Sequence, residues 1–185
     1  LASFRYLHLY NWCKNLEISD EFNEIYKSLI LNPYNERKLT FQIPIINQLQ
    51  NRVSEKVAIQ YENNPYPRWI NVKLNLEAIT ISKIVSEFKI NLFDQSIKKV
   101  RKPNILIAGC GTGHHSIRTA ARFMHSKITA IDLSLTSLAY AKRKSKEFNF
   151  KGIEYLKCDV LDLKKLNQKF NIIECLGVLH HMDDP

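Results

Sequence analysis

The chain has 185 residues, 45% of them hydrophobic and 24% charged, with 27 Lys and Arg against 18 Asp and Glu for a net charge of +9. That is the composition of a globular protein and too apolar for a disordered one. No apolar run approaches the roughly 20 residues that cross a bilayer, and Leu1 to Tyr10 lacks the apolar segment of a secretory signal, so no membrane partner is expected. The four cysteines, at 13, 110, 158 and 175, have no CxxC spacing. They read as reduced thiols of a cytoplasmic protein rather than a zinc ribbon or a redox motif. The first residue is Leu, and the expectation is a fragment, truncated at both ends. Basic residues gather at Lys98, Lys99, Arg101 and Lys102, at Lys142 to Lys146, and at Lys164 and Lys165. Without an interleaved aromatic platform they read as solvated faces, so nucleic acid is not the favoured partner.

Residues 1–71 read as a helical region that ends in an aromatic and proline-rich loop. The spacing predicts a helix over Ser19 to Ile30, capped by Ser19 and opened by Asp20 and Glu21. Phe22, Ile25, Tyr26, Leu29 and Ile30 form its apolar stripe, and Asn32-Pro33 is expected to end it. A second helix is predicted from Pro44 to about Tyr61. The run from Tyr61 to Trp69, with two prolines and three aromatics, cannot be a regular helix. No repeat of fixed period is visible. A third helix is predicted over Leu76 to Ile90.

After Pro103 the rhythm changes. Asn104–Ala108, Lys127–Ile131, Ile153–Cys158 and Phe170–Leu176 read as strands, with helices over Gly113–His125 and from a Ser134 cap to about Phe148. Strands that alternate with helices imply βαβ units and a parallel sheet buried on both faces. A domain boundary is expected between residues 71 and 72.

Between the first strand and its helix lies Gly109-Cys110-Gly111-Thr112-Gly113. Glycines belong where the backbone turns sharply and a ligand lies against it, and the following helix offers free N–H groups. The spacing is GxGxG, not the GxGxxG of dinucleotide sites, and the Gly-Lys-Ser/Thr of a nucleotide triphosphate loop is missing. Asp132 ends the second strand, where a carboxylate can accept from a ribose diol. Asp159, followed by Val160 at the end of the third strand, can accept from an adenine amino group.

These segments resemble the class I S-adenosylmethionine-dependent methyltransferases. ILIAGCGTG resembles their first motif, TAIDLS the ribose segment, LKCDVLDL the adenine segment and FNIIECLGVLHHMDDP the fourth-strand motif. The resemblance covers about Asn104 to Pro185. It implies an α/β, Rossmann-like doubly wound sheet, here the first four strands of a seven-stranded core, with S-adenosyl-L-methionine as cofactor. It places Gly109, Cys110, Gly111, Gly113, Asp132, Leu133, Asp159, Val160 and Glu174 at that cofactor. QYENNPYPRW, at 60–69, resembles a segment that precedes the core in bacterial proteins with N-terminal tetratricopeptide repeats, through which protein partners could bind. Ile107 departs from the family, whose acidic residue at that position lies near the methionine amino group. Tyr66 or Arg68 is offered as a substitute at the methionyl end.

Methyl transfer from a sulfonium is an in-line displacement that needs alignment and a dry site. His181, and beside it His180, are the candidate catalytic groups on the acceptor side. Cys110, His114, His115, His180 and His181 have no metal-ligand spacing, so no metal is expected. The acceptor is undetermined. The alternatives are a fragment that binds cofactor without catalysis, and an RNA-binding or RNA-methylating module.

Overall fold

A computed structural model describes residues 7–74 and 77–182. The predicted start of the third helix, at Leu76, and the last three residues of the fourth-strand motif lie outside these. Helices α1 (Leu7–Cys13), α2 (Asn23–Tyr26), α3 (Asn32–Thr40), α4 (Arg52–Asn63) and α5 (Ile81–Glu87) come first. Then follow β1 (Asn104–Ala108), α6 (His114–Arg122), β2 (Lys127–Asp132), α7 (Leu135–Glu147), β3 (Ile153–Lys157) and β4 (Ile172–Cys175). The strands form one parallel sheet in the order β3-β2-β1-β4, the α/β Rossmann-like arrangement expected.

β1 is continuously apolar because both its faces are covered. Ile105 and Ile107 face a core built with Leu138, Ala139 and Ala141 of α7 and Ile81, Ile84 and Val85 of α5. Leu106 and Ala108 face the opposite layer, which includes Leu163 and Leu166 of a short 3-10 helix, Phe170 and Ile46. Ser134 caps α7 as predicted, its hydroxyl accepting from Ser137 N.

The N-terminal helices differ from the expectation. Ser19 makes no side-chain cap, and the Ser19–Ile30 stretch is a 3-10 turn, then α2, then a π-helical turn over Lys27–Leu31. Pro33 does not end the helix. It sits in the first turn of α3, where a proline needs no intrahelical partner for its missing N–H. The stripe of Phe22, Ile25 and Leu29 stays exposed rather than entering the core. Similarly, Pro44 to Ile46 is extended, not helical. Its backbone joins the outer edge of β3, with Ile46 N donating to Lys157 O and Lys157 N to Pro44 O, both at 2.9 Å. Sheet-edge pairing overrides helical periodicity here, and a proline is tolerated because it sits on an edge. α4 starts only at Arg52, where the Asn51 side chain accepts from Val53 N and Ser54 N. The third helix starts at Ile81 under a Thr80 cap.

A buried carboxylate ties this N-terminal region to the sheet. Glu36 of α3 is fully buried, and Arg143 Nε of α7 donates to it at 2.8 Å. Arg68, from the aromatic loop, donates to the same carboxylate at 3.0 Å. Both guanidinium groups lie over the Tyr140 ring, 4.7 and 4.9 Å from its centroid. Removing the charge leaves two cations facing each other in a partly buried site. Glu36→Gln is therefore expected to lower the unfolding free energy by about 3 kcal/mol in urea denaturation.

Candidate functional site

A cavity of about 580 Å³ opens at the C-terminal ends of all four strands. Its wall takes Gly109 to Thr112 after β1, Asp132 and Leu133 after β2, Cys158 to Leu161 after β3, and Leu176 to Met182, apart from Leu179 and His180, after β4. α4 and the aromatic loop complete it, through Val53, Val57, Tyr61, Tyr66 and Pro67 among others. Among the described residues no Lys or Arg lines it.

The turn after β1 requires its glycines. Gly109, Gly111 and Gly113 all have positive φ, at 70°, 53° and 81°. At Gly113 a Cβ would stand 2.5 Å from the Ala141 Cβ of α7. Gly113 thus serves the packing of α6 on α7 and does not line the cavity, whereas Gly109, Cys110 and Gly111 do. Gly111 N donates to Asp132 Oδ2 at 2.8 Å, and Ser134 N to Asp132 Oδ1 at 2.9 Å. Burial pushes the Asp132 carboxyl above its ordinary value, against these hydrogen bonds, which pull it down. Asp159 is buried beside Val160 and accepts from Leu161 N at 3.0 Å, which starts the 3-10 helix. Burial also raises the Cys110 thiol well above its ordinary value, so it is a neutral wall group.

The aromatic loop is pinned to the glycine turn. Thr112 Oγ1 donates to Pro67 O at 2.5 Å, and Trp69 Nε1 donates to Thr112 O at 3.1 Å. Tyr140 donates its hydroxyl to Trp69 O. Tyr66 reaches the cavity, but Arg68 does not, because Glu36 holds it elsewhere.

His181 lines the cavity, with Nε2 3.4 Å from the Tyr61 hydroxyl of α4. His180 is exposed beside it, the ring centroids 4.1 Å apart. Glu174 does not line the cavity. Its Oε2 accepts from Thr119 Oγ1 at 2.6 Å and lies 2.7 Å from His115 Nε2, and His115 does line it. Burial alone would raise the Glu174 carboxyl, but the His115 and Thr119 contacts outweigh it and hold the group below its ordinary value. His114, against the Trp69 ring at 5.3 Å, is lowered by burial and by Arg118. Among the described residues no three His, Cys, Asp or Glu side chains converge on a metal position.

Sequence reasoning missed the α4 wall and the pairing of His115 with Glu174. The spacing of His115 and Thr119 puts both on one face of α6. Their meeting with Glu174 depends on β4 lying beside β1, which local sequence does not carry.

Residues 105–185 match the family model of a methyltransferase domain. Over 85 residues the chain is 38% identical to an uncharacterized protein of Synechococcus sp., covering 45% of this chain and 20% of that protein. It is similar to PKMT2 from Rickettsia typhi, solved in complex with AdoHcy, at 27% identity and a TM-score of 0.41 over 44% of this chain and 16% of that one. It is also similar to magnesium protoporphyrin IX methyltransferase (ChlM) from Synechocystis, solved with bound SAM. There the identity is 18% and the TM-score 0.48, over 74% of this chain and 67% of that one. The chain thus spans about a fifth of the length of the Synechococcus relative.

Glu174 adds stability that is present above the ordinary carboxylate range and lost as pH falls through its lowered value. Glu174→Gln is expected to cost about 1 kcal/mol at pH 7. In urea titrations across pH, that difference should hold above the ordinary carboxylate range and begin to shrink as pH falls below about 4.3, disappearing only once the lowered Glu174 carboxyl is protonated.

Proposed function

We propose that the chain carries the cofactor-binding half of a methyltransferase that transfers a methyl group from S-adenosyl-L-methionine to an acceptor not identified by its residues. The observation that carries this reading is the charge of the cavity. Asp132 and Asp159 stand at adjacent strand ends, and among the described residues no Lys or Arg lines the wall. A dinucleotide would bring a pyrophosphate against two carboxylates, whereas S-adenosylmethionine is a cation at its sulfur and its amino group. The methyltransferase-domain match over 105–185 supports the same conclusion.

In this reading Asp159 accepts from the adenine amino group beside Val160. Asp132, its outer lone pairs still open, accepts from the ribose diol next to Leu133. Gly109, Cys110 and Gly111 let the ligand approach the backbone. The cofactor supplies an electrophilic methyl, and the chain supplies orientation and a mainly apolar wall. His181 is placed on the acceptor side, where it can take the proton that leaves the acceptor. Residues 72–185 form the methyltransferase domain and 1–71 the segment leading into it, although Tyr61, Tyr66 and Pro67 contribute to the wall. The resemblance of residues 60–69 supports a tetratricopeptide-repeat parent protein, with protein partners bound through the repeats, and the free, scattered cysteines support a cytoplasmic one.

Calorimetric titration with S-adenosylhomocysteine tests the reading. Binding is expected, with a loss of at least about tenfold in Asp132→Ala and in Asp159→Ala and no binding of NADH. No binding by folded protein, or binding of NADH instead, overturns it.

A further inference from the structure

The four strands run parallel, so their starts share one end of the sheet, the base, opposite the cavity. The register places a basic residue at or just before every start. Lys127 opens β2 and pairs with Asn104, the first residue of β1, which Lys102 closely precedes. Lys151 comes just before β3, where Ile128 N donates to Gly152 O at 3.0 Å. Lys169 comes just before β4, where Asn171 N donates to Asn104 O at 2.8 Å. In strand order the row reads Lys151, Lys127, Lys102, Lys169. Neighbouring strands lie about 4.8 Å apart, so the row crosses the base over roughly 14 Å. Lys99 and Arg101 widen it at β1. All six side chains belong to exposed residues, and none forms an ion pair among the described residues. Folding thus gathers at one pole a charge that the sequence spreads over residues 99–169.

Apolar side chains project beside these cations. The segment 79–103 has both ends on the base. Ile79 N donates to Arg122 O and Met124 N to Ile79 O at the end of α6, and Lys127 N donates to Pro103 O. Between these ends Leu92, Ile97 and Val100 pack on the core, whereas Phe88, Ile90 and Phe93 stay exposed, Phe93 completely. Met124, in the turn from α6 to β2, is exposed as well. The segment's two carboxylates are already engaged: Glu87 by Lys83, and Asp94 by the N–H and hydroxyl of Ser96. Large apolar tips among unpaired cations suit the interface of an anionic bilayer, where lysines reach the phosphates and the tips dip below them. A nucleic-acid strand would draw on stacking rings and on the planar fork of Arg. Here five of the six cations are Lys, and Ile90 and Met124 offer no ring.

We propose that the base of the sheet docks on an anionic lipid surface, with the lysine row against the headgroup phosphates and Phe93 in the interface. Docking is peripheral, since no described helix is long and apolar enough to cross a membrane. The cavity, at the other end of the strands, then opens away from the lipid. The proposal therefore holds whichever ligand the cavity takes.

The experiment is co-sedimentation of the protein with vesicles of phosphatidylcholine alone and of phosphatidylcholine mixed with phosphatidylglycerol, at low and at high salt. Binding is expected to the mixed vesicles only, and to weaken as salt shortens the reach of the charges. Lys127→Gln and Lys151→Gln should each weaken it about fivefold. Phe93→Ala should weaken it by a similar factor, about fivefold, and leave the salt dependence as it was. Urea midpoints of the three variants should match that of the unaltered protein, because the altered side chains are exposed. Equal binding to neutral vesicles overturns the proposal. So does no binding to mixed vesicles at low salt, or binding indifferent to both lysine changes. A single-stranded RNA oligonucleotide is the competing probe. If it strips the protein from mixed vesicles at equal phosphate concentration, the base is a nucleic-acid surface and the lipid proposal falls.

Discussion

The Asp132 carboxylate holds two backbone turns at once. One oxygen receives Gly111 N from the turn after β1, and the other receives Ser134 N at the start of α7. The glycine turn, with three positive φ values, is held by Gly113 N on Cys110 O and Cys110 N on Ile131 O, and Asp132 supplies the acceptor for Gly111 N. Because β1 and β2 are paired in register up to Ala108 and Ile131, the acceptor arrives at the right height without adjustment. The desolvation that raises the Asp132 carboxyl is the cost of that position. The same burial keeps its charge effective towards a ligand, since little water screens it.

Around this junction the N-terminal region acts as a second wall rather than as a spacer. Glu36 joins α3 to Arg143 of α7 and to Arg68 of the aromatic loop. That loop in turn is bonded to Thr112, in the middle of the glycine turn. The chain of contacts runs from a fully buried carboxylate, through the loop, to the cavity floor. A change at Glu36 can therefore reach the site through packed side chains, with no contact to any ligand.

The sheet was legible in the sequence because each strand is a short apolar run set between turn residues, and each strand end carries its own polar marker. Ser134 and the glycines do their work within a few residues of themselves. The N-terminal helices were not legible in the same way. Pro33 reads as a helix end by local rules, yet it occupies a first turn because a π-turn precedes it. Pro44 to Ile46 has helical spacing but is captured by the free edge of β3, a partner more than 100 residues away in sequence. Glu174 was readable as a polar residue near the site, but its partners His115 and Thr119 follow from strand order. Nonlocal pairing of this kind leaves no periodic trace.

That capture of residues 44–46 also gives the sheet a polarity of growth. On the β3 side the hydrogen-bonding edge is occupied by the short segment 44–46, which bonds to Lys157 through Pro44 O and Ile46 N. On the opposite side, among the described residues, β4 pairs with β1 alone, and Ile173 stands 62% exposed there. Among the described residues the outer margin of β4 is open along its whole length, and a strand could extend the sheet there, whether from the same polypeptide or from another. It would arrive on the flank where Glu174 and His115 sit, not on the flank of Asp159.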